Sequence, residues 1–213
     1  MAYREILRDL IARYPGLAVV EEGLLAAHAL LRECFAAGGK LLVAGNGGSA
    51  ADADHIVGEL MKGFLKKRPL NDEVYKKLLA LDPERGMRLG EALQGALPAI
   101  ALTEHSALST AFANDRDSHA VFAQQVWGYG KAGDVLLCLS TSGNAENLML
   151  AAVTAHAKGM RVVLLTGESG GRLAAVADAT VRLPARDTYL VQELQLPVYH
   201  ALCMMLESDF FEV

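Results

Sequence analysis

The sequence predicts an α/β fold: a three-layer sandwich in which helices cover both faces of a parallel sheet of about five strands. Two observations carry this. Five short runs are apolar on consecutive residues, "LLVAG" from 41, "PAIAL" from 98, "DVLLCLS" from 134, "RVVLLTG" from 161 and "ATVRL" from 179, as expected of strands buried on both faces. Stretches of helical character separate them, which implies parallel βαβ units. With 213 residues, 52% of them hydrophobic, the chain is long enough for a single domain over 1–213 with a full core.

Before the first strand, apolar residues recur at spacings of mainly three or four, at Ile6, Leu7, Leu10 and Ile11 and again at Leu17, Val20, Leu24, Leu31 and Phe35. These are two amphipathic helices within residues 1–37, broken at Tyr14-Pro15-Gly16. So long an apolar lead needs a surface to cover, either the sheet or a second copy of the chain. After "LLVAG" a helix carries His55 and Glu59, and the cluster Lys62, Lys66, Lys67 and Arg68 reads as its solvated, dipole-favoured end. The segment 70–96 breaks the alternation. It reads as two short helices, with a cap at Asn71 or Asp72 and a break at Asp82-Pro83. Because it feeds the N-terminal edge of a strand, it is expected to lie away from its own subunit's strand-end loops, unless it reaches a neighbour's. A final helix, from about Asp187 to Glu207, closes the chain, and Pro197 inside it is expected to kink it.

Charge and cysteine content exclude several classes. A net charge of −5, with no basic face, argues against nucleic-acid binding. Cys34, Cys138 and Cys203 are an odd number, far apart and in apolar stretches, so neither a disulfide framework nor a nucleophilic thiol is expected. The opening "MAYREILRDLIARYPG" has charges at helical intervals rather than a signal-peptide core, and no run approaches the about 20 apolar residues of a membrane span. A cytoplasmic protein is the resulting expectation.

Two strand ends could hold a ligand. Gly45-Asn46-Gly47-Gly48-Ser49 follows the first strand and Ser140-Thr141-Ser142-Gly143-Asn144 the third. Glycines let backbone amides approach an anion, hydroxyls add donors, and the following helix N-termini favour negative charge. Either loop alone is equally well a turn and cap; the pair on one sheet edge points to a phosphorylated ligand. A nucleotide cofactor fits poorly: Ala50 stands where a dinucleotide fingerprint needs its third glycine, and there is no Gly-Lys-Ser/Thr. His55 and Glu59, four apart, share a helix face and suit a metal pair, an acid/base pair or a surface pair. "ANDRDSH" adds Asn114, Asp115, Asp117 and His119, of which Asp117 also suits a helix cap. In the last helix Gln192, Glu193 and His200 interrupt an apolar run, with Glu193 and His200 nearly in line.

Together, "GNGGSAADADHIVGEL", "ANDR", "LSTSGNAENL", "LLTGESGG" and "VQELQLPVYHALCMMLE" resemble, in order and spacing, the sugar isomerase (SIS) domain family, and within it most closely the phosphoheptose isomerases. The resemblance spans the chain apart from about 70 to 96. It implies a flavodoxin-like SIS fold and an aldose–ketose isomerase converting sedoheptulose 7-phosphate to D-glycero-D-manno-heptose 7-phosphate through an enediol. By the same resemblance, Glu59 would be the general base and His200 the acid. Asn46, Gly47, Gly48, Ser49, Asn114, Asp115 and Gln192 would line the sugar site with Glu59, and Ser140, Thr141 and Ser142 would hold the phosphate. In some members the positions of His55, Glu59, Gln192 and His200 also hold zinc, so one Zn2+ per subunit is admitted but not required. A site between subunits, usually of a homotetramer, is implied as well.

The chain departs from that family in three places: Ala145 replaces a serine after "STSGN", Pro197 stands three residues before His200, and the 70–96 segment is extra. Two other readings stay open. One is a non-catalytic SIS protein that binds a replication initiator, favoured by "SAAD" after the first loop. The other is an isomerase or sensor of a different phosphosugar.

Overall fold

A computed structural model describes residues 3–211. The N-terminal lead forms α1 (Tyr3–Arg13), a 3-10 segment (Pro15–Val20) and α2 (Glu21–Ala36), so the break falls at the predicted Pro15. Then follow β1 (Leu41–Gly45), α3 (Gly48–Met61), α4 (Asp72–Leu81), α5 (Pro83–Ala92), β2 (Ala99–Ala101), α6 (Ser106–Asp115) and α7 (Val121–Tyr129). The chain ends with β3 (Val135–Ser140), α8 (Glu146–Ala157), β4 (Arg161–Thr166), β5 (Ala179–Arg182) and α9 (Thr188–Phe210).

All five apolar runs are strands of one sheet, parallel throughout, in the order β2-β1-β3-β4-β5. Successive strand side chains point to opposite faces, and both faces are covered. Leu41 and Val43 join the core beneath α1, α2, α3 and α9, whereas Leu42 and Ala44 join the one beneath α7 and α8. Neither register position can be polar, which is why the runs are apolar without alternation. No helix of the described residues is long and apolar enough to cross a membrane.

The segment 70–96 is the predicted helix pair. Asn71 Oδ1 accepts from the Val74 amide at 2.9 Å and caps α4, and Asp82 Oδ1 accepts from the Arg85 amide at 2.9 Å to cap α5 behind Pro83. An antiparallel bridge between Pro69 and Gln94 closes its base. That base sits at the C-terminal end of α3, where Gly63 donates to Gln94 Oε1 at 2.7 Å. The segment is thus remote from the turn that opens α3, as its entry edge predicts.

α9 runs from Thr188 to Phe210 with the buried Pro197 inside it. One expectation changes. Arg68, expected in a solvated helix end, is only 2% exposed. Its guanidinium meets the equally buried Glu207 through Nε and Nη2, each 2.9 Å from Oε1. Consecutive lysines are a poor guide to their neighbour, because only the tertiary fold supplies Arg68 with a carboxylate.

Burial pushes the Glu207 carboxyl up, but the amides of Leu65, Phe64 and Lys66 and the Arg68 guanidinium outweigh it and hold its pKa below the ordinary 4.5. A carboxyl with a depressed folded pKa stabilises above its unfolded value and loses that contribution as pH falls through the folded one. The melting temperature is therefore expected to drop as pH falls below about 4.5, and the gap between wild type and Glu207→Gln to narrow there. Thermal melts from pH 7 to pH 3 check this; a gap that stays constant would refute it.

Candidate active site

The two strand-end loops meet at the C-terminal edge of the sheet. Asn46 and Asn147, at the start of α8, exchange amide hydrogen bonds of 3.0 and 2.8 Å, which joins the loop after β1 to the helix after β3. The first turn is shorter than its glycines suggest: Gly45 ends β1 and α3 starts at Gly48. Gly48 packs directly against the Gln192 amide of α9, whose Nε2 would lie 2.6 Å from a Cβ at that position. Ser49 turns inward, 3% exposed, and its hydroxyl donates to Gln195 Oε1 at 3.4 Å, so it faces the core rather than the loop.

In the second loop Ser140 ends β3 and is 5% exposed, Thr141 is half-buried, and Ser142 is exposed with its Oγ accepting from the Asn144 amide at 3.2 Å. Gly143 has φ +66° and its missing Cβ would lie 2.0 Å from the Gly170 carbonyl oxygen. The loop is thereby pressed on residues 167–171, with Gly167 donating to the Thr141 carbonyl at 3.0 Å. Ala145 stands at the N-cap of α8 with no side-chain cap. Arg172 reaches this turn, donating to the Asn144 carbonyl at 3.2 Å and to Glu146 at 3.0 Å. A concave turn of amides and hydroxyls at a helix N-terminus is an anion cradle.

His55, Glu59 and His200 gather elsewhere. His55 lies between two acceptors, with Nδ1 2.9 Å from the Tyr199 hydroxyl and Nε2 3.1 Å from Glu59 Oε1. Tyr199 donates its one proton to Asp52 Oδ1 at 3.2 Å, so its oxygen accepts from His55 Nδ1–H. His55 Nε2 faces the Glu59 carboxylate, which also lies 3.4 Å from Lys62 Nζ. Asp52 is raised above its ordinary value by burial, against the pull of Tyr199 and His55. The His200 ring stands edge-on to His55, centroids 5.0 Å apart, and its Nε2 is buried without a hydrogen-bond partner. Burial first, and then the charges of His55 and Arg13, lower its pKa despite Glu59, so His200 is a neutral imidazole at neutral pH. A cavity of about 300 Å³ opens beside it, lined by Asp9, Arg13, Tyr14, Phe64 and Pro197.

Zinc would draw on His55, Glu59, Gln192 and His200. Both nitrogens of His55 are engaged and Gln192 is packed on Gly48, so only the His200 donor stands open. Among the described residues no three His, Cys, Asp or Glu side chains are grouped to hold a metal. As arranged, this donor set fits an acid–base pair rather than a zinc centre.

The expected site residues therefore resolve into separate groups. Gln192 touches the first loop, while His200 lies eight residues further along α9, about 12 Å of helix rise. Glu59 is eleven residues beyond Gly48, about 16 Å along α3. Asn114 and Asp115 bond each other at 2.8 Å at the end of α6, and Asp117 caps the next turn through the His119 amide. Four contributors were not anticipated: Asn147, Arg172, Asp52 and Tyr199. Asn147, Asp52 and Tyr199 lay within quoted motifs but carry no spacing signal, Arg172 follows "LLTGESGG" directly, and Asp52 and Tyr199 become partners only when α3 packs on α9.

Comparison with known proteins identifies the family. The SIS domain family model matches residues 85–167. Phosphoheptose isomerase of Thiobacillus denitrificans is 40% identical over 182 residues, 84% of this chain and 79% of that protein. The enzyme of the same name from Desulfovibrio desulfuricans is 38% identical over 179 residues, 84% of this chain and 73% of that one. The structure of phosphoheptose isomerase GmhA from Neisseria gonorrhoeae superposes with a TM-score of 0.74 at 33% identity, covering 97% of this chain and 95% of that one. With identity of this level over most of both chains and a shared fold, the chain belongs to the phosphoheptose isomerase family of SIS-domain proteins.

Proposed function

We propose that the protein is an aldose–ketose isomerase acting on sedoheptulose 7-phosphate to form D-glycero-D-manno-heptose 7-phosphate. The observation that carries it is the pairing of a carboxylate, Glu59, with a neutral imidazole, His200, whose Nε2 is buried and unpartnered. Such a nitrogen is costly unless a ligand satisfies it. Glu59 removes a proton from C1 of the ketose and returns it to C2, and His200 donates to O2 and takes the proton of O1, which passes the carbonyl from C2 to C1 through the enediol. The oxyanion is stabilised by a donor already in place, so no charged imidazolium is needed. The turn 140–145 holds the phosphate through Ser140, Thr141 and Ser142, and Asn46, Gly47, Gly48, Asn114, Asp115 and Gln192 hold the sugar. No step is routed through zinc.

NMR in D2O tests this with sedoheptulose 7-phosphate and a panel of other ketose phosphates. Deuterium is expected at C1 of sedoheptulose 7-phosphate, at an unchanged rate when a chelator is present. Binding of phosphosugars without exchange of any would overturn the isomerase assignment, and exchange lost on chelation would make a metal part of the chemistry.

The working form is a homo-oligomer, in our reading a tetramer. Its support is the separation of the anion cradle from Glu59 and His200 within one chain, together with apolar residues left exposed near the latter, Met61 at 45%, Leu65 at 71% and Leu196 at 42%. Loops of one subunit would complete the acid–base cluster of another. Specific activity is then expected to fall on dilution below the assembly constant, and full activity in a monomer proven by light scattering would refute it. Three free thiols, all buried, support a reducing, cytoplasmic setting: burial raises Cys34 to about 11 and Cys138 to about 12, too high for thiolate chemistry.

A further inference from the structure

We propose that Arg68 and Glu207 are positioning residues for the acid–base pair, a buried clamp that sets α3 against α9. The proposal rests on the isomerase reading for its catalytic meaning. Arg68 grips the end of α3 by its backbone: Nη1 donates to the Leu60 carbonyl at 2.7 Å and Nη2 to the carbonyl of Glu59 itself at 3.2 Å. These carbonyls lie in the last turn of α3, where a helix leaves them without helical partners; the Leu60 carbonyl also accepts from the Leu97 amide at 3.0 Å, so the guanidinium shares the capping of α3 with that amide. On its other edge Arg68 meets Glu207 of α9 at 2.9 Å. Glu207 is seven residues after His200, two turns further on the same face of α9. Its oxygens also accept from the amides of Phe64 and Leu65, each at 2.9 Å, which pins the chain leaving α3.

The pair therefore joins the backbone of the general base to the helix of the acid, and it does so without touching either functional group. Its components are exposed by 0% and 2% at the side chain. The Arg68 guanidinium is also stacked over the Phe211 ring at 4.4 Å, which closes the last direction in which it could move. A buried pair is a poor source of net stability, since an apolar pair of similar volume often serves as well. What an apolar pair cannot do is hold two specific carbonyls, and that is what fixes the angle from which Glu59 leaves α3. Displacements of about 1 Å in reacting groups cost on the order of 100-fold in rate. The first loop, at the far end of α3, is untouched by the clamp.

The test uses Arg68→Lys and Glu207→Gln in the full chain, assayed at a temperature where circular dichroism shows each to be folded. Lysine keeps the charge but, as a point donor, cannot span both carbonyls and the carboxylate. The expected result is kcat lowered by about ten-fold or more with KM for the ketose phosphate within about two-fold of wild type. A folded variant with kcat within about two-fold of wild type would overturn the proposal, since a merely structural pair costs melting temperature and not turnover. Should neither single variant fold, Arg68→Met with Glu207→Leu removes both charges together and is judged by the same criterion. Crystal structures of wild type and variant give a readout that needs no activity. The clamp predicts that the Glu59 carboxylate leaves His55 Nε2, and an unmoved carboxylate counts against it. If the wild type itself exchanges no ketose phosphate, the isomerase reading fails while the crystal comparison still decides the clamp.

Discussion

Glu59→Gln is expected to abolish turnover, lowering kcat by about 1,000-fold, within the range of about 100 to 10,000-fold that a general acid or base contributes. The amide keeps the size of the carboxylate and still fits between His55 and Lys62, which lie 3.1 and 3.4 Å from its two oxygens. What it loses is the basic lone pair that takes a carbon-bound proton. In the proposed site the phosphate is held by a different loop, so KM should change by no more than about three-fold. Deuterium incorporation from solvent should fall in parallel with net isomerisation, because both pass through the same enediol. Retention of exchange in the variant would show that another group removes the proton and would move the role of base to His55. Steady-state kinetics and NMR exchange on the same preparation distinguish the two.

Gly143→Ala is expected to damage the phosphate loop more than any side-chain deletion within it. The residue has φ +66°, which alanine adopts at a cost of about 1 kcal/mol, and the added methyl would lie 2.0 Å from the Gly170 carbonyl oxygen. Neither neighbour can yield easily. A Cβ on Gly171 would likewise stand 2.5 Å from the Gly143 backbone, and the Leu173 amide donates to the Gly143 carbonyl at 2.9 Å, so the two turns must separate as a unit. A total loss of about 3 kcal/mol follows, or a melting temperature lower by about 10 °C in a chain of this length. KM for the sugar phosphate should rise by about ten-fold or more as the hydroxyls of Thr141 and Ser142 lose their common orientation. A lowered melting temperature with KM unchanged would mean that the phosphate is held elsewhere.

Much of this was readable from residues alone, and the reason is periodicity. A strand buried on both faces must be apolar at every position, so "LLVAG" and "DVLLCLS" announce a parallel sheet covered by helices. Caps are equally local. Asn71 and Asp82 accept amide protons three residues on, and their residue types already mark where α4 and α5 begin. Gly143 and the hydroxyls around it could be placed at a strand end for the same reason. Arg68 shows the limit. In the sequence it closes a run of cations, and its neighbours give no hint that it is buried; its partner Glu207 is 139 residues away.

The same limit applies to the candidate site. His55 and Glu59 share a helix face by their spacing, but Asp52 and Tyr199, which settle where the protons of His55 lie, meet only because α3 packs on α9. The inward turn of Ser49 and the contact of Gly48 with Gln192 are likewise consequences of that packing. The sequence by itself determined the fold class, the order of its elements, the two glycine- and serine-rich turns and the family, because each depends on contacts within a few residues or on a repeating pattern. Only the tertiary structure decided that Gln192 meets the first loop while His200, about 12 Å further along α9, meets His55, and that Arg68 and Glu207 bind α9 to α3. Distances and buried partners between remote segments depend on how whole elements pack, and no local pattern records them.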